Sequence, residues 1–139
     1  METTDTSTVL EADHLNNITK VVIGAAIEVH RELGPGLLES AYEACLAHEL
    51  AGRGVAFERQ KALPVIYRGV KVDCGYRLDL LVQDAVIVEL KAVEKVLPIH
   101  EMQVLSYLRL SGLKVGLIIN FNVPRLTRGI HRVVNNLKQ

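Results

Sequence analysis

The segment RLDLLVQDAVIVELK at residues 77–91 constrains the fold most, because two runs of alternating side chains flank a short turn. Side chains on a strand point alternately to opposite faces, so this segment predicts a β-hairpin. A three-residue loop at 83–85 places Asp79 opposite Glu89. A two-residue turn would slip the pairing by one residue and mix charged with apolar positions on both faces, which burial penalises. We therefore predict the three-residue loop.

In that register, one face of the hairpin is apolar and the other carries its charges. The apolar face is predicted to consist of Leu78, Leu80, Val82, Val86, Val88 and Leu90. The other face is predicted to carry Arg77, Asp79, Glu89 and Lys91, with Leu81 and Ile87 nearer to the turn. The hairpin would then bury one side and present a cluster of ionisable groups on the other.

This charged cluster needs a compensating interaction. The Cβ atoms of Asp79 and Glu89 would lie about 5 Å apart, and like charges at that separation destabilise a sheet. A divalent cation would compensate, because magnesium is usually held by one or two carboxylates together with water and phosphate oxygens. Lys91 would neutralise part of the charge or orient an attacking water. The spacing therefore suggests a metal-dependent phosphodiesterase site, and the alternative is a surface salt-bridge cluster of these residues with Arg77.

Length and composition limit the organisation of the chain. A length of 139 residues with 49% hydrophobic side chains predicts one globular domain. We expect residues 1–12 to be a disordered lead, because they lack the features of a signal peptide, and residues 13–139 to form the domain. Apolar stretches are too short to span a membrane, so we expect a cytoplasmic protein with no membrane partner. Cys45 and Cys74 are expected to be reduced thiols.

Charge is balanced overall but unevenly distributed. Sixteen acidic and sixteen basic residues give a net charge of zero, which argues weakly against a protein that coats nucleic acid nonspecifically. Residues 1–51 hold nine acids and two bases, whereas residues 112–139 hold five bases and no acid. This asymmetry fits a phosphate-facing surface and fits pairing between chain ends or subunits equally well. With two phenylalanines, four tyrosines and no tryptophan, base-specific reading by aromatic stacking is not expected.

Hydrophobic periodicity predicts the order helix, helix, strands, helix, strand. Helices are expected at about 14–33, at about 36–52 and at 98–112, the first with Asp13 as its N-cap. Strands are expected at 55–61, 65–67, 70–82, 86–93 and 115–119. The basic tail has weak helical character at 127–137.

The helices contribute two further pairs of candidate residues. Glu39 lies in the first turn of the second helix, with Tyr42 one turn on, but an acid at this position is commonly only a favourable partner of the helix dipole. Gln103 and Tyr107 are four residues apart and project from one face of the third helix. The alternative for that pair is a packed tyrosine and a solvated glutamine. Spacing alone leaves both pairs open.

Four motifs, in this order, resemble those of the GxxExxY protein family. The segment GLLESAY at 36–42 matches G-x-x-E-x-x-Y, and VHRELGPG at 29–36 resembles the flanking sequence. The later motifs are Asp79…Glu89-Leu90-Lys91, then Gln103…Tyr107-Leu108, then Ile119-Asn120-Phe121. The resemblance covers roughly residues 13–134, and the family is placed in the PD-(D/E)XK nuclease superfamily.

The resemblance implies a fold and a set of residue roles. The implied fold is α/β (α+β), a single PD-(D/E)XK nuclease-like core in which helices flank a central mixed β-sheet, with an extra N-terminal helix. Asp79 and Glu89 would be metal ligands, Glu39 would complete the acidic site, and the Leu90 carbonyl would be an additional ligand. Lys91 would position or activate the water. Gln103 and Tyr107 would brace the site and contact DNA, and Tyr42 would bind substrate or brace the site. Separately from the resemblance, Arg77 is expected on the charged face of the hairpin, where it would grip a phosphate.

These implications predict a nuclease that hydrolyses phosphodiester bonds with Mg²⁺ or Mn²⁺, with DNA as the expected substrate, in repair, recombination or defence. One alternative is a catalytically inactive nucleic-acid or protein binding module of the same fold. Another is a small oligomeric structural protein that uses the 14–33 helix and the charged ends as contact surfaces. The resemblance also implies a homodimer, and a neutral chain of this size could need a further protein partner for targeting.

Overall fold

A long amphipathic helix, α1 (Thr6–Leu33), opens the computed structural model, which describes residues 6–137. The helix begins well before the predicted start near residue 14, so the expected disordered lead is wrong for residues 6–12; residues 1–5 lie outside the described residues. Two contacts hold the extra turns against the fold. Ala12 is buried, and the carboxylate of Glu11 lies 3.3 Å from Nζ of Lys114 at the start of a core strand.

A five-stranded mixed sheet forms the centre of the molecule, in the order β1-β4-β5-β6-β7. Its strands are β1 (Phe57–Ala62), β4 (Arg77–Val82), β5 (Val86–Lys91), β6 (Val115–Asn120) and β7 (Ile130–Val134). β5 and β6 are parallel and the other neighbours are antiparallel. Parallel neighbours need a crossover connection, which is provided here by a helix between them. Every residue of β6 is buried, as its continuous apolar run predicts.

Helices cover both faces of this sheet. α1 and α2 (Glu39–Gly52) pack on one face, where the largest apolar cluster lies, and α3 (Pro98–Ser111) packs on the other. The predicted α+β architecture of a mixed sheet flanked by helices is therefore confirmed. Among the helices of residues 6–137, none combines the length and the apolar character needed to cross a membrane.

A separate two-stranded sheet of β2 (Val65–Tyr67) and β3 (Val70–Val72) interrupts the region that the sequence predicts as one strand from 70 to 82. The break falls at residues 73–76. Asp73 Oδ1 accepts a hydrogen bond from the Gly75 N–H at 2.9 Å, and Gly75 has a φ of 76°, so a local turn replaces the extended chain. The small hairpin of β2 and β3 therefore forms the connection between the end of β1 and the start of β4.

The basic tail forms a strand where the sequence suggested weak helical character. After a 3-10 helix (Leu126–Gly129), β7 pairs antiparallel with β6 from Ile119↔Ile130 to Val115↔Val134. The hydrogen bonds that the exposed edge of β6 offers outweigh the local helical preference. Gly129 makes the turn into β7 possible, because a Cβ at this position would collide with the carbonyl oxygen of Asn120.

We predict that Gly129→Ala lowers the free energy of unfolding by about 3 kcal/mol, because the added methyl meets a backbone atom that cannot move freely. Chemical denaturation monitored by circular dichroism measures the change. Gly52→Ala is the matched control: its Cβ would meet nothing within 4 Å at the end of α2, so stability should stay equal or rise by up to about 1 kcal/mol. Equal stability of wild type and Gly129→Ala would contradict this packing.

Candidate active site

The hairpin of β4 and β5 has the predicted register. The strands pair at Val82↔Val86, Leu81↔Ile87 and Leu80↔Val88, and this register requires the three-residue loop. Beyond Leu80 the backbone ladder stops, and side chains connect the strands. The Asp79 N–H donates to Oε1 of Glu89 at 3.2 Å, and the Leu90 N–H donates to Oδ2 of Asp79 at 2.9 Å. Each of the two carboxylates predicted to face each other is therefore bound to a backbone N–H of the opposite strand, at the same place where the ladder ends.

The alternation of faces changes at Asp79, which corrects one part of the prediction. Leu78 was expected beside Leu80, but it packs in the α3-side cluster with Leu81 and Ile87, whereas Leu80 belongs to the opposite cluster. The cause lies partly in β1, where Gln60 has a φ of 51° and neither Gln60 nor Asp79 joins the β1–β4 ladder. This irregularity turns the Asp79 carboxylate towards β5.

Burial and repulsion together change the ionisation of Glu89. Its side chain is only 7% exposed, and burial followed by the charge of Asp79 raises the pKa of Glu89 to about 8. The hydrogen bond from the Asp79 N–H and the charge of Lys91 lower this pKa but do not outweigh the first two effects. Without a cation, Glu89 therefore keeps its proton at neutral pH.

Lys91 and Leu90 occupy the end of β5 directly beside this pair. Lys91 is partly buried, and its charge acts on Glu89 two residues earlier, as the strand spacing predicts. The Leu90 side chain is buried in the core on the α1 and α2 side while its N–H reaches Asp79. The ionisable groups of β5 thus meet at the strand end.

A buried glutamate of α2, Glu43, joins this cluster, although the sequence reasoning did not single it out. Its Oε1 accepts a hydrogen bond from Nε2 of Gln60 at 2.6 Å, and the same nitrogen donates to Oδ1 of Asp79 at 3.3 Å. Its Oε2 is bound by the Arg59 guanidinium at 3.0 Å. The predicted acid, Glu39, lies one turn earlier on α2 and is exposed. The four-residue spacing between Glu39 and Glu43 was the available signal, since it places both on one helix face.

Tyr42 braces the segment that leads into α2. It is fully buried; its hydroxyl donates to the Gly34 carbonyl at 2.6 Å and accepts from the Leu37 N–H at 3.1 Å. Its ring stacks on Phe121 with centroids 4.3 Å apart. Of the two roles expected for Tyr42, the structure places it in contacts that position α2.

The α3 residues approach the site from the other face of the sheet. Tyr107 is buried and Gln103 is exposed one turn earlier on the same helix. Burial and then the charge of Glu89 raise the pKa of Tyr107. Arg77 is exposed at the start of β4, and its guanidinium donates to the Tyr76 carbonyl at 3.4 Å.

Asn120 fixes the segment that follows Lys91. This residue is buried at the end of β6; its side chain donates to the Val93 carbonyl at 2.9 Å and accepts from the Val93 N–H at 3.1 Å. The Phe121 N–H adds a bond to the Lys91 carbonyl at 2.9 Å. The parallel pair β5 and β6 is thereby closed at the end that carries the site.

The oxygen donors at this end of the sheet fit a magnesium-type ion. Within the described part of the chain, no three acidic, histidine or cysteine side chains approach closely enough to form a coordination shell by themselves. Magnesium does not need such a shell, because it commonly keeps several waters and uses one or two carboxylates. The contacting pair Asp79 and Glu89 supplies that number, and Glu43 lies one side-chain amide away.

The raised pKa of Glu89 predicts a loss of stability as the pH rises from about 5 to 8 in a chelating buffer. In this range the unfolded state has lost the Glu89 proton while the folded state keeps it, so unfolding becomes easier by up to about 1.4 kcal/mol per pH unit. Glu89→Gln mimics the protonated form and should remove that part of the slope in denaturant titrations. Glu94→Gln, an exposed acid in the next loop, is the control and should keep the slope. Parallel curves for wild type and Glu89→Gln would contradict the protonated pair.

Comparison with known families identifies the superfamily of the chain. A family model of the PD-(D/E)XK nuclease superfamily matches residues 16–133, which include both strands of the hairpin, α2 and α3. Comparisons with curated proteins and with solved structures gave no match. Since the matched region spans most of the chain, this protein belongs to the PD-(D/E)XK nuclease superfamily.

Proposed function

We propose that this protein is a metal-dependent nuclease that hydrolyses phosphodiester bonds, with DNA as its substrate. Membership of a nuclease superfamily supports the reaction class. The observation that carries the proposal is the direct contact of Asp79 and Glu89 at the end of the β4–β5 ladder, with Lys91 beside it. Two carboxylates held this close are unfavourable for folding alone, and a cation-dependent reaction explains their placement.

The chain's own groups divide the work of hydrolysis. Asp79 and Glu89 would hold one or two magnesium or manganese ions, and the Leu90 carbonyl would face the same gap because its N–H already points to Asp79. A bound divalent ion supplies Lewis-acid polarisation of the phosphate and a lowered pKa of water. Lys91 would hold the attacking water in line and stabilise the charge that develops on the phosphate.

Either α2 glutamate could complete the acidic site, and the contacts favour Glu43. The resemblance points to Glu39, which is exposed at the first residue of α2. Glu43 is buried and connects to Asp79 through the Gln60 amide. Loss of the Gln60 bond would let the Glu43 carboxylate turn to an ion held by Asp79. We therefore propose Glu43 as the third acidic group, with Glu39 at the rim.

Other residues would act on the substrate or hold the site together. Gln103 and Tyr107 would brace the β5 end from α3 and contact DNA, and the exposed Arg77 would grip a phosphate. Tyr42 would fix the start of α2. We also propose membership of the GxxExxY subfamily, on the motif at residues 36–42, and a cytoplasmic homodimer as the working form.

Metal binding and cleavage test this proposal together. Wild type should bind Mn²⁺ or Mg²⁺ in calorimetry and cleave linear, circular or single-stranded DNA, with RNA as the comparison substrate. Asp79→Asn and Glu89→Gln should lose binding and cleavage because the ion loses a carboxylate. Lys91→Ala should keep metal binding while its cleavage rate falls by about 100-fold or more. Asp84→Asn, in the turn at the other end of the hairpin, should behave as wild type. A folded wild type that neither binds metal nor cleaves would leave a binding module as the better model.

A second comparison identifies the third acidic group. Glu43→Gln should weaken metal affinity by about 10-fold or more, because the neutral amide is a poorer ligand, while it can still accept the bond from Gln60. Glu39→Gln should leave metal affinity within about twofold of wild type. Arg59→Ala controls for the ion pair that Glu43→Gln also disrupts. The reverse order of effects would assign the role to Glu39.

A further inference from the structure

The small hairpin of β2 and β3 presents an apolar face to solvent. Val65 lies opposite Val72 and Tyr67 lies opposite Val70, so these four side chains share one face. Tyr67 is 60% exposed, Val70 61% and Val72 41%. A contiguous apolar face of this kind on a domain surface typically marks an interaction site.

Basic residues lie at the tip, at the base and on the reverse side of this hairpin, where Lys71 pairs with Ile66. Residues 63–77 contain Arg68, Lys71 and Arg77 against the single acid Asp73, whose carboxylate already accepts the Gly75 N–H. Arg68 lies at the tip, with its guanidinium carbon 5.4 Å from the centroid of the Tyr67 ring. The hairpin thus combines an exposed aromatic ring with cations that can pair with phosphate.

The tip of the hairpin has a backbone conformation that its sequence does not favour. Arg68 and Gly69 have φ values of 49° and 79°, the left-handed pair that a two-residue turn requires. Asparagine or glycine is the usual residue at the first of these positions, and a long side chain there costs stability. An arginine held in this geometry therefore suggests a use for its side chain at the tip.

The hairpin lies at the same end of the main sheet as the carboxylate pair. Its base is closed by the Leu63 N–H, which donates to the Tyr76 carbonyl at 3.0 Å, between the end of β1 and the start of β4. β4 begins at Arg77, directly after the hairpin, and Asp79 is its third residue, so the carboxylate pair lies at the strand end from which the hairpin extends. A polymer bound at Glu89 would therefore pass the hairpin.

We infer that the hairpin binds an unpaired stretch of nucleic acid next to the scissile phosphate, with a base stacked on Tyr67 and phosphates bound by Arg68 and Lys71. The choice of partner rests on the proposed nuclease function. A second copy of the chain is the less suitable occupant, because two basic hairpins would repel each other. Four apolar side chains also provide far less surface than the roughly 20–30 residues a side of a stable interface.

Binding is best measured on the full chain carrying Lys91→Ala, which prevents cleavage under the proposed mechanism. Fluorescence anisotropy measures the affinity for two substrates, a duplex that carries a single-stranded overhang and a blunt duplex. Both are measured at several salt concentrations. Tyr67→Ala should weaken binding of the overhang substrate by about fivefold or more, with little change for the blunt duplex. Tyr67→Phe should restore it, because the ring is retained.

The cations have a different expected signature. Arg68→Ala with Lys71→Ala should reduce the slope of log affinity against log salt by about 1.4, the contribution of two phosphate contacts on a single strand. Lys20→Ala and Leu10→Ala, at exposed positions of α1, are the matched charge and apolar controls and should change neither affinity nor slope. The hairpin lies outside the main sheet, and thermal unfolding checks that every variant stays folded.

Hydrolysis of bis(p-nitrophenyl) phosphate separates this inference from the proposed function, because that substrate is too small to reach the hairpin. With Lys91 intact, the hairpin variants should hydrolyse it at the wild-type rate. Unchanged oligonucleotide affinity and salt slope in the variants would overturn the inference, as would a dimer in sedimentation that Tyr67→Ala converts to a monomer. If wild type binds no metal and hydrolyses no diester while Tyr67→Ala still loses oligonucleotide binding, the proposed function fails, and the inference holds only for nucleic-acid binding by the hairpin.

Discussion

The contact between Asp79 and Glu89 determines the geometry of the whole site end of the molecule. In place of the regular ladder, the Asp79 N–H bonds a side chain and the Leu90 N–H bonds the Asp79 carboxylate. β4 and β5 can therefore diverge at this end without leaving those two N–H groups unpaired, which burial would otherwise penalise. The same contact forces two carboxyl groups together in a buried place, and Glu89 responds by keeping its proton to a higher pH.

Elements on both faces of the sheet keep this divergent end rigid. On one face, the Tyr42 ring stacks on Phe121 and its hydroxyl holds the turn before α2, which sets the position of Glu43. On the other face, Tyr107 packs from α3 in the cluster that contains Leu78 and Leu81 of β4. Asn120, at the end of β6, holds the segment after β5 by bonding both backbone groups of Val93. A site built on strand and helix ends in this way can hold its groups in a fixed geometry.

The parts of the fold that depend on local periodicity could be predicted from the sequence. The register of the hairpin was predictable because a slip by one residue would have buried charge, and the continuous run of β6 was predictable because both its faces are covered. Glu43 was missed because its proximity to Asp79 depends on Gln60, whose positive φ has no signal in the sequence. The irregular backbone at Gln60 also explains in part why the Leu78 side chain lies on the opposite face from the predicted one. The early start of α1 and the β7 strand depend on contacts with β6, distant in sequence, which override weak local preferences.

The distribution of charge, more than its sum, determines what this surface can bind. A net charge of zero argued weakly against a nucleic-acid partner, but charges more than about 8–10 Å apart are largely screened at physiological salt. A phosphate near the site therefore responds mainly to the groups around it. Near the carboxylate pair those groups include Lys91, Arg77 and the basic hairpin, whereas acids such as Glu28, Glu32 and Glu49 line a surface between α1 and α2. Glu28 and Glu49 are ion-paired with Arg31 and Arg53, so most of the negative charge of that surface is compensated locally. A chain with a net charge of zero can therefore still present an anion-binding edge beside the carboxylate pair.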